Sequence, residues 1–234
     1  MSNPDKGLVN LGESAVCAGA AAYASKSLTY FSSARHDFVS ELRRNANAKI
    51  LEIGCGVGDT GALALFEKKC GCYCAVEMCQ DAAEKAKEKI TQVVVGNVEN
   101  VELPWSPATF DALILSEVLE HLADPWATLR RLRATMKSGG LVFASSPNIS
   151  HYRVIAMLLR GEWTLADYGL MDRTHLRWFT PKTYREMFES CGYCVDAVRE
   201  HQPLTKKAKA VSVLTLGRFR HLFMGQFDLR AHCE

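Results

Sequence analysis

The amino-acid sequence predicts an α/β fold: a doubly wound, mostly parallel seven-stranded sheet with helices on both faces and a small cap insertion. Three observations predict it. Short apolar runs alternate with helical patterns along the chain, Gly and Pro separate them without a long linker or repeat, and the first apolar run ends in glycines. At 234 residues, 48% hydrophobic and 23% charged, the chain is within the reach of one domain with one core.

Ser32 and Ser33 are placed to cap a helix reaching about Ala46, with Phe38, Val39 and Leu42 on one face. Lys49 to Ile53 is a short buried strand. A helix from about Thr60 to Lys69 stops before Gly71, expected as its left-handed terminal residue. Cys72 to Glu77 is the second strand, Gln80 to Thr91 an exposed helix, and Val93 to Val95 the third strand. Phe110 to Ser116 is unbroken in its apolar middle, as a strand covered on both faces requires. A helix then runs to about Met136, and Leu141 to Ser145 is the fifth strand. Thr180 caps a helix with Pro181 at its first position and Gly192 at its end. Tyr193 to Arg199 and Gln226 to His232 complete the sheet. Asn148 to Phe179 fits the alternation badly and reads as a cap. Ligands of such sheets sit outside the carboxyl ends of the strands, so those ends are where site residues are sought.

Lys plus Arg (28) nearly cancels Asp plus Glu (26), which argues against a polyanionic partner, whether nucleic acid or membrane surface. The basic run Lys206-Lys207-Ala208-Lys209 reads as a solvated loop. No charged segment followed by an apolar one opens the chain, so a cytoplasmic location with reduced thiols is expected. Of nine cysteines, Cys70, Cys72 and Cys74 alternate, which on a strand puts three sulfurs on one face; the paired spacing of a zinc site is missing, and no metal is expected.

Glu52-Ile53-Gly54-Cys55-Gly56-Val57-Gly58-Asp59 departs from the dinucleotide fingerprint, which has glycine where Asp59 stands. A carboxylate facing phosphates there would cost about 1–4 kcal/mol, so a ligand without phosphates is favoured. The pattern resembles the class I S-adenosylmethionine-dependent methyltransferases, whose first motif is an acid, an apolar residue and G-x-G-x-G. That resemblance implies a Rossmann-like methyltransferase fold with S-adenosylmethionine as cofactor, held by Glu52, Gly54, Cys55, Gly56 and Gly58. It implies Glu77 as the acid that accepts both ribose hydroxyls, Met78 flanking the adenine, and Asn97 and Val98 at the adenine edge, with Asn97 replacing the usual Asp. Asp111 looks like a structural acid of the family, and Ser116 and Glu117 would line the methionine end. Oxidation or alkylation of Cys55 or Cys79 is expected to block cofactor binding.

Two stretches resemble a narrower group, the bacterial methyltransferases of methionine-biosynthesis-protein-W-like, polysaccharide-cluster and secondary-metabolite type. Tyr30 to Arg35 is one, which implies cofactor contacts from Tyr30 and pairing of Arg35 with the cofactor carboxylate. Asp172 to Thr180 is the other, similar to that group's cap signature. The whole of 1–234 then divides into an N-terminal helical segment (1–47), a cofactor-binding half (48–147), a substrate cap (148–180) and a C-terminal helix with strands (181–234).

Methyl transfer from a sulfonium needs positioning above all, and a base where the nucleophile is a hydroxyl. His121 is the first candidate base, or else a histidine that fixes a helix start. His175 beside Asp172 is the second, or else a pair that holds the cap. Trp163, Tyr168 and Trp178 either stack on an aromatic acceptor or form the cap's own core. Asn148, Tyr152, Asp172 and Arg173 are further acceptor contacts, with His151 and Arg153 beside them; His36, His201, His221 and His232 carry no motif. The expected activity is methyl transfer to an oxygen or nitrogen of a small molecule (a secondary metabolite, heteroaromatic compound or activated sugar) by a monomer or homodimer. The competing readings are a non-catalytic S-adenosylmethionine-binding regulator and methylation of a protein or RNA.

Overall fold

The computed structural model describes residues 33–234; Tyr30, Ser32 and Cys17 lie outside them. In chain order the elements are α1 (His36–Glu41), β1 (Lys49–Ile53), α2 (Asp59–Phe66), β2 (Cys72–Glu77), α3 (Gln80–Lys87), β3 (Gln92–Val95) and β4 (Phe110–Ser116). A 3-10 turn (Leu119–His121), α4 (Pro125–Thr135), β5 (Met136–Pro147), α5 (Tyr152–Leu159) and α6 (Pro181–Ser190) follow. Then come β6 (Tyr193–Glu200), α7 (Lys206–Leu214), a second 3-10 turn (Arg220–Phe223) and β7 (Gln226–Cys233).

The strands form one seven-stranded sheet in the order β3-β2-β1-β4-β5-β7-β6. The pairs from β3 to β5 are parallel, and β7 runs antiparallel to both of its neighbours. Order reverses between β1 and β4, which opens a crevice at their carboxyl ends. Successive side chains of a strand point to opposite faces, and both faces are covered. Leu113 and Leu115 of β4 pack in one cluster with Tyr184 and Phe188 of α6, while Ile114 packs in the other with Phe38 and Val39 of α1.

Several boundaries differ from those read in the sequence, each for a local reason. Arg35, not a serine, is the N-cap of α1, and its backbone N–H donates to Thr60 Oγ1 at 3.2 Å. After α2 the left-handed residue is Lys68 (φ +58°), while Gly71 serves close approach: a Cβ there would lie 2.0 Å from the Ala46 carbonyl oxygen. α3 is not an exposed helix, since Ala82, Ala83 and Ala86 bury one face. α4 begins at Pro125 because Asp124 caps it, accepting from Ala127 N at 2.9 Å. β5 starts at Met136 rather than Leu141, in register with Phe110. Cys72 and Cys74 share a face, their sulfurs 3.6 Å apart, but Cys70 precedes the strand and packs in the opposite cluster. Lys206 to Lys209 is no loop; it is the first turn of α7, capped by Thr205.

The Gly71 contact gives a direct test. Gly71→Ala should lower stability by roughly 1–3 kcal/mol, read as a lower urea midpoint at unchanged slope. Gly225→Ala, where a Cβ meets nothing within 4 Å, should stay within about 0.5 kcal/mol of the parent. Equal midpoints for all three proteins would contradict the close approach.

Candidate active site

The turn after β1 is built by glycines at positive φ: Gly54 (+71°), Gly56 (+53°) and Gly58 (+81°). Space fixes the first of them as well, because a Cβ on Gly54 would stand 2.7 Å from Val118 Cγ2. The loop is tied to the end of β2. Gly54 N donates to the Val76 carbonyl and Gly56 N to Glu77 Oε2, both at 2.8 Å, while Cys79 N donates to Glu77 Oε1 at 2.8 Å. Asp59 turns to Lys89, Oδ1 to Nζ 2.6 Å, and does not line the crevice, so its charge does not face a ligand there as the sequence argument assumed.

Three cavities meet at the carboxyl ends of the strands. One of about 80 Å³ is lined by Gly54, Glu77, Met78, Asn97 and Val98, among others. A second, of about 250 Å³, is lined by Arg35, Glu52, Cys55, Gly56, Thr60 and Ser116. The largest, about 810 Å³, lies under the segment 148–180 and is lined by His121, Tyr152, Asp172, His175, His201 and Lys207, among others. Glu117 borders all three. Its φ of +53° is one that an L side chain adopts at a cost, a strain typical of functional positions. Its carboxylate accepts from Gln226 Nε2.

Acids dominate this crevice. Glu52 is buried and accepts from the Tyr73 hydroxyl at 2.8 Å; burial, with the Glu77 charge adding to it, pushes its pKa up to about 8. Burial also raises the carboxyl of Glu77 against its backbone donors, and partial desolvation raises that of Glu117 against the pull of Arg35. Glu120, buried, has no hydrogen-bond partner for either oxygen among the described residues; desolvation and then Glu117 push it well up, towards the protonated form.

Arg35 answers these charges. Its Nε and Nη2 bind Asp37 at 2.9 and 2.6 Å, Nη2 also binds Asp228 at 2.8 Å, and Nη1 donates to Ser116 Oγ at 2.5 Å and Ser145 Oγ at 2.7 Å. All five N–H groups are thereby engaged within the protein, so a ligand carboxylate would have to share them. His201, assigned nothing from the sequence, stands 3.0 Å from Asp228 and lines both the second and the largest cavity.

On the cap side, His121 Nδ1 lies 3.2 Å from the Thr174 carbonyl and 3.1 Å from Thr174 Oγ1, which in turn donates to Asp172 Oδ1 at 2.7 Å. His175 packs edge-on against His121, ring centroids 4.8 Å apart. Leu176 N and Arg177 N donate to the Glu120 carbonyl at 2.8 and 2.9 Å, so the 172–180 signature is laced to the turn after β4. Glu120, His121 and His175 each bring a ligand-type atom within 4.8 Å of the others, as do Asp37, His201 and Asp228, the latter group already matched by Arg35.

Not every expected residue lies here. Asn148 is structural: Nδ2 donates to the His221 and Met224 carbonyls at 2.7 and 2.8 Å and Oδ1 accepts from Ser150. Trp163 and Trp178 pack on each other, Tyr168 is 77% exposed, and Arg173 pairs with Asp167, all away from the largest cavity. Asp111, as expected of a structural acid, accepts from Lys49 N and Lys137. Cys55 is buried and its thiol is pushed strongly up by burial and by Glu52, which disfavours its thiolate; Cys79 is half-buried. His201 and Gln226 were missed, although His201 is the first residue beyond the end of β6, where the strand-end rule points.

A family model described as a methyltransferase domain matches residues 23–198, three quarters of the chain. A ubiquinone biosynthesis O-methyltransferase of Saccharophagus degradans is 23% identical over 198 residues, 79% of this chain and 83% of that protein. A protein of the same name from Xanthomonas campestris pv. campestris is 31% identical over 118 residues, 49% of each chain. Polyketide synthase ThaQ of Burkholderia thailandensis is 26% identical over 143 residues, 55% of this chain but 7% of that protein. Among solved structures, a SAM-dependent methyltransferase of Archaeoglobus fulgidus superposes with a TM-score of 0.63 at 19% identity, covering 87% of this chain and 96% of that one.

The raised pKa of Glu52 has a sign that can be measured. A carboxyl that titrates near 8 when folded and near 4.5 when unfolded holds its proton on folding, so its stabilisation is full below 4.5 and lost by about 8. The ligand-free protein should lose stability between about pH 5 and 8, with up to about 1.4 kcal/mol per pH unit from this group, and Glu52→Gln should remove that share. Identical slopes in the two proteins would show that Glu52 does not carry the proton.

Proposed function

The chain belongs to the methyltransferase-domain family and is a class I S-adenosylmethionine-dependent methyltransferase; from that premise we propose that it methylates an oxygen or nitrogen of a small molecule held under residues 148–180. The observation that carries this reading is the cavity of about 810 Å³, which meets both smaller cavities at Glu117 and suits a ligand of metabolite size. The naming of two relatives as ubiquinone biosynthesis O-methyltransferases supports a hydroxyl acceptor.

The residues present fit the cofactor. Glycines permit close backbone approach, Glu77 and Asn97 offer oxygen acceptors at one end, and the acids around the second cavity suit a cation. In this proposal Glu77, Met78, Asn97 and Val98 hold the adenosine end, and Glu52, Gly54, Gly56, Ser116 and Glu117 surround the amino-acid end. Arg35 sets the charge balance and contributes to the ligand carboxylate only by sharing its donors. When bound, S-adenosylmethionine supplies a methyl already activated by its sulfonium.

His121 is the proposed base. Its Nδ1 lies within hydrogen-bond reach of the Thr174 carbonyl and hydroxyl, the latter anchored on Asp172, and in the tautomer that carries its proton on Nδ1 the basic nitrogen is Nε2. The ring borders both the Glu77 cavity and the largest one, where a base has to stand to take a proton from an acceptor. His175 packs against it and walls the acceptor side, with Tyr152 and Asp172 as neighbours. Water exclusion falls to residues 148–180, held down through the Glu120 carbonyl and Asn148.

Calorimetric titration and product assay test the two halves separately. Glu77→Ala should weaken S-adenosylmethionine binding by ~30-fold or more. His121→Ala should bind it as the parent does and lose about 10²–10⁴-fold in turnover of a hydroxylated aromatic acceptor. S-adenosylhomocysteine formation driven by RNA or protein, and by no small acceptor, would overturn the substrate class; full turnover in His121→Ala would remove the base.

A further inference from the structure

We infer that α7 and the turn after it form a docking surface for an anionic lipid bilayer, beside the mouth of the largest cavity. Residues 201–227 contain Lys206, Lys207, Lys209, Arg218 and Arg220 and no Asp or Glu, in a chain whose net charge is only +2. Arg220 is taken up by Glu200, at 2.6 and 2.7 Å. Lys206, Lys207, Lys209 and Arg218 are exposed, and among the described residues none of them makes an ion pair.

The same segment presents apolar side chains outward. Its inner side is settled: Ala208 packs with Leu204, Met224 and Phe223, and Ser212 and Thr215 follow Ala208 at helical spacing. Val213, Leu214 and Leu216 lie outside, 75%, 83% and 96% exposed, and Phe219 joins them beyond Gly217. Leu216 holds a left-handed φ of +50°, which an L residue adopts at a cost and which no burial here offsets. Helical spacing puts Lys206, Lys209 and Val213 on one outer face and Lys207, Val211 and Leu214 on the next. The result is an apolar tip with a basic collar, the arrangement by which surface helices enter the headgroup boundary while lysines reach anionic headgroups.

Charge complementarity selects the occupant. A water-exposed tip of this kind is costly in a monomer, and a collar of unpaired cations around it calls for a surface of negative charge, which an anionic leaflet supplies at about fivefold in affinity per basic residue. No helix among the described residues is long and apolar enough to cross a membrane, so the contact is peripheral. The near-zero total charge, from which no membrane surface was expected, conceals this local excess. Lys207 and Val211 also line the largest cavity, so docking would set its mouth at the lipid surface. The docking itself does not depend on the methyl-transfer reading.

Co-sedimentation of the full chain with extruded vesicles tests it. Binding to equal parts phosphatidylcholine and phosphatidylglycerol should exceed binding to phosphatidylcholine alone by about tenfold or more and fall at about 0.5 M salt. The double variants Leu214→Glu/Leu216→Glu and Lys206→Glu/Lys209→Glu should each lose about tenfold in vesicle binding while keeping parental S-adenosylmethionine affinity and thermal midpoint. Absence of binding, indifference to lipid charge, or parental binding by both variants would overturn the proposal. So would light scattering that shows a dimer broken by the apolar variant without vesicle binding, since the tip would then belong to a second copy.

Discussion

The carboxyl end of the sheet is held together by one guanidinium. Arg35 reaches Ser116 at the end of β4, Ser145 in β5, Asp228 in β7 and Asp37 in α1, with the Phe38 ring 3.6 Å beneath it. Its side chain is only 11% exposed, and an ion so enclosed is tolerable only when each donor finds an acceptor, as here. The planar fork fixes the relative positions of three strand ends at once, which a flexible ammonium would not do. The crevice and the cap-side cavity open on those ends. A change at this residue therefore acts on geometry before it acts on any ligand.

The same cation sets the electrostatics. Glu52 and Glu117 are both drawn down by Arg35 yet remain raised, because loss of water outweighs its attraction. Protonation relieves part of the crowding: Glu52 near 8 is mostly neutral at neutral pH, and Glu120 is shifted in the same direction. What stays is a crevice with acids at its edges and one fully committed cation. Such a place favours a ligand that carries positive charge of its own and disfavours polyphosphates. The carboxylate that bears on a ligand's charge here is Glu117 at the edge of the crevice, not Glu52, which burial keeps mostly neutral, and not Asp59, which is paired with Lys89 outside the crevice.

Local patterns were readable where backbone and burial alone decide them. Strands β1, β2 and β4 were legible to the residue because apolar runs covered on both faces have few alternatives, and the reversed last strand fell where the resemblance placed it. Boundaries failed where a distant partner decides: Arg35 displaced the serine cap by reaching Thr60, and Phe110 recruited Met136 into a strand. The cap was the least legible part. Its aromatics read equally as acceptor contacts or as a core of the cap in the sequence, and Trp163 and Trp178 pack on each other, while Asn148 spends its amide on two carbonyls more than 70 residues away. His201 and Gln226 carry no motif because their place depends on where β6 and β7 end, which only the assembled sheet shows.

The division of labour between the two sides of Glu117 follows from that topology. The smaller cavities are lined mainly by residues between 33 and 122, whose conformation is fixed by parallel pairing and by Glu77 bonded to the glycine turn. The largest cavity draws its walls from the turn after β4, the segment under 148–180 and the connection from β6 to β7. These three pieces meet through side-chain and loop contacts, the Glu120 carbonyl, Thr174 and Asn148, and not through strand pairing. Loops so joined can change their lining without disturbing the sheet, so a conserved chemistry and a variable acceptor are physically compatible in one domain. Glu117, strained at φ +53°, stands where the two sides meet, since it lines all three of these cavities.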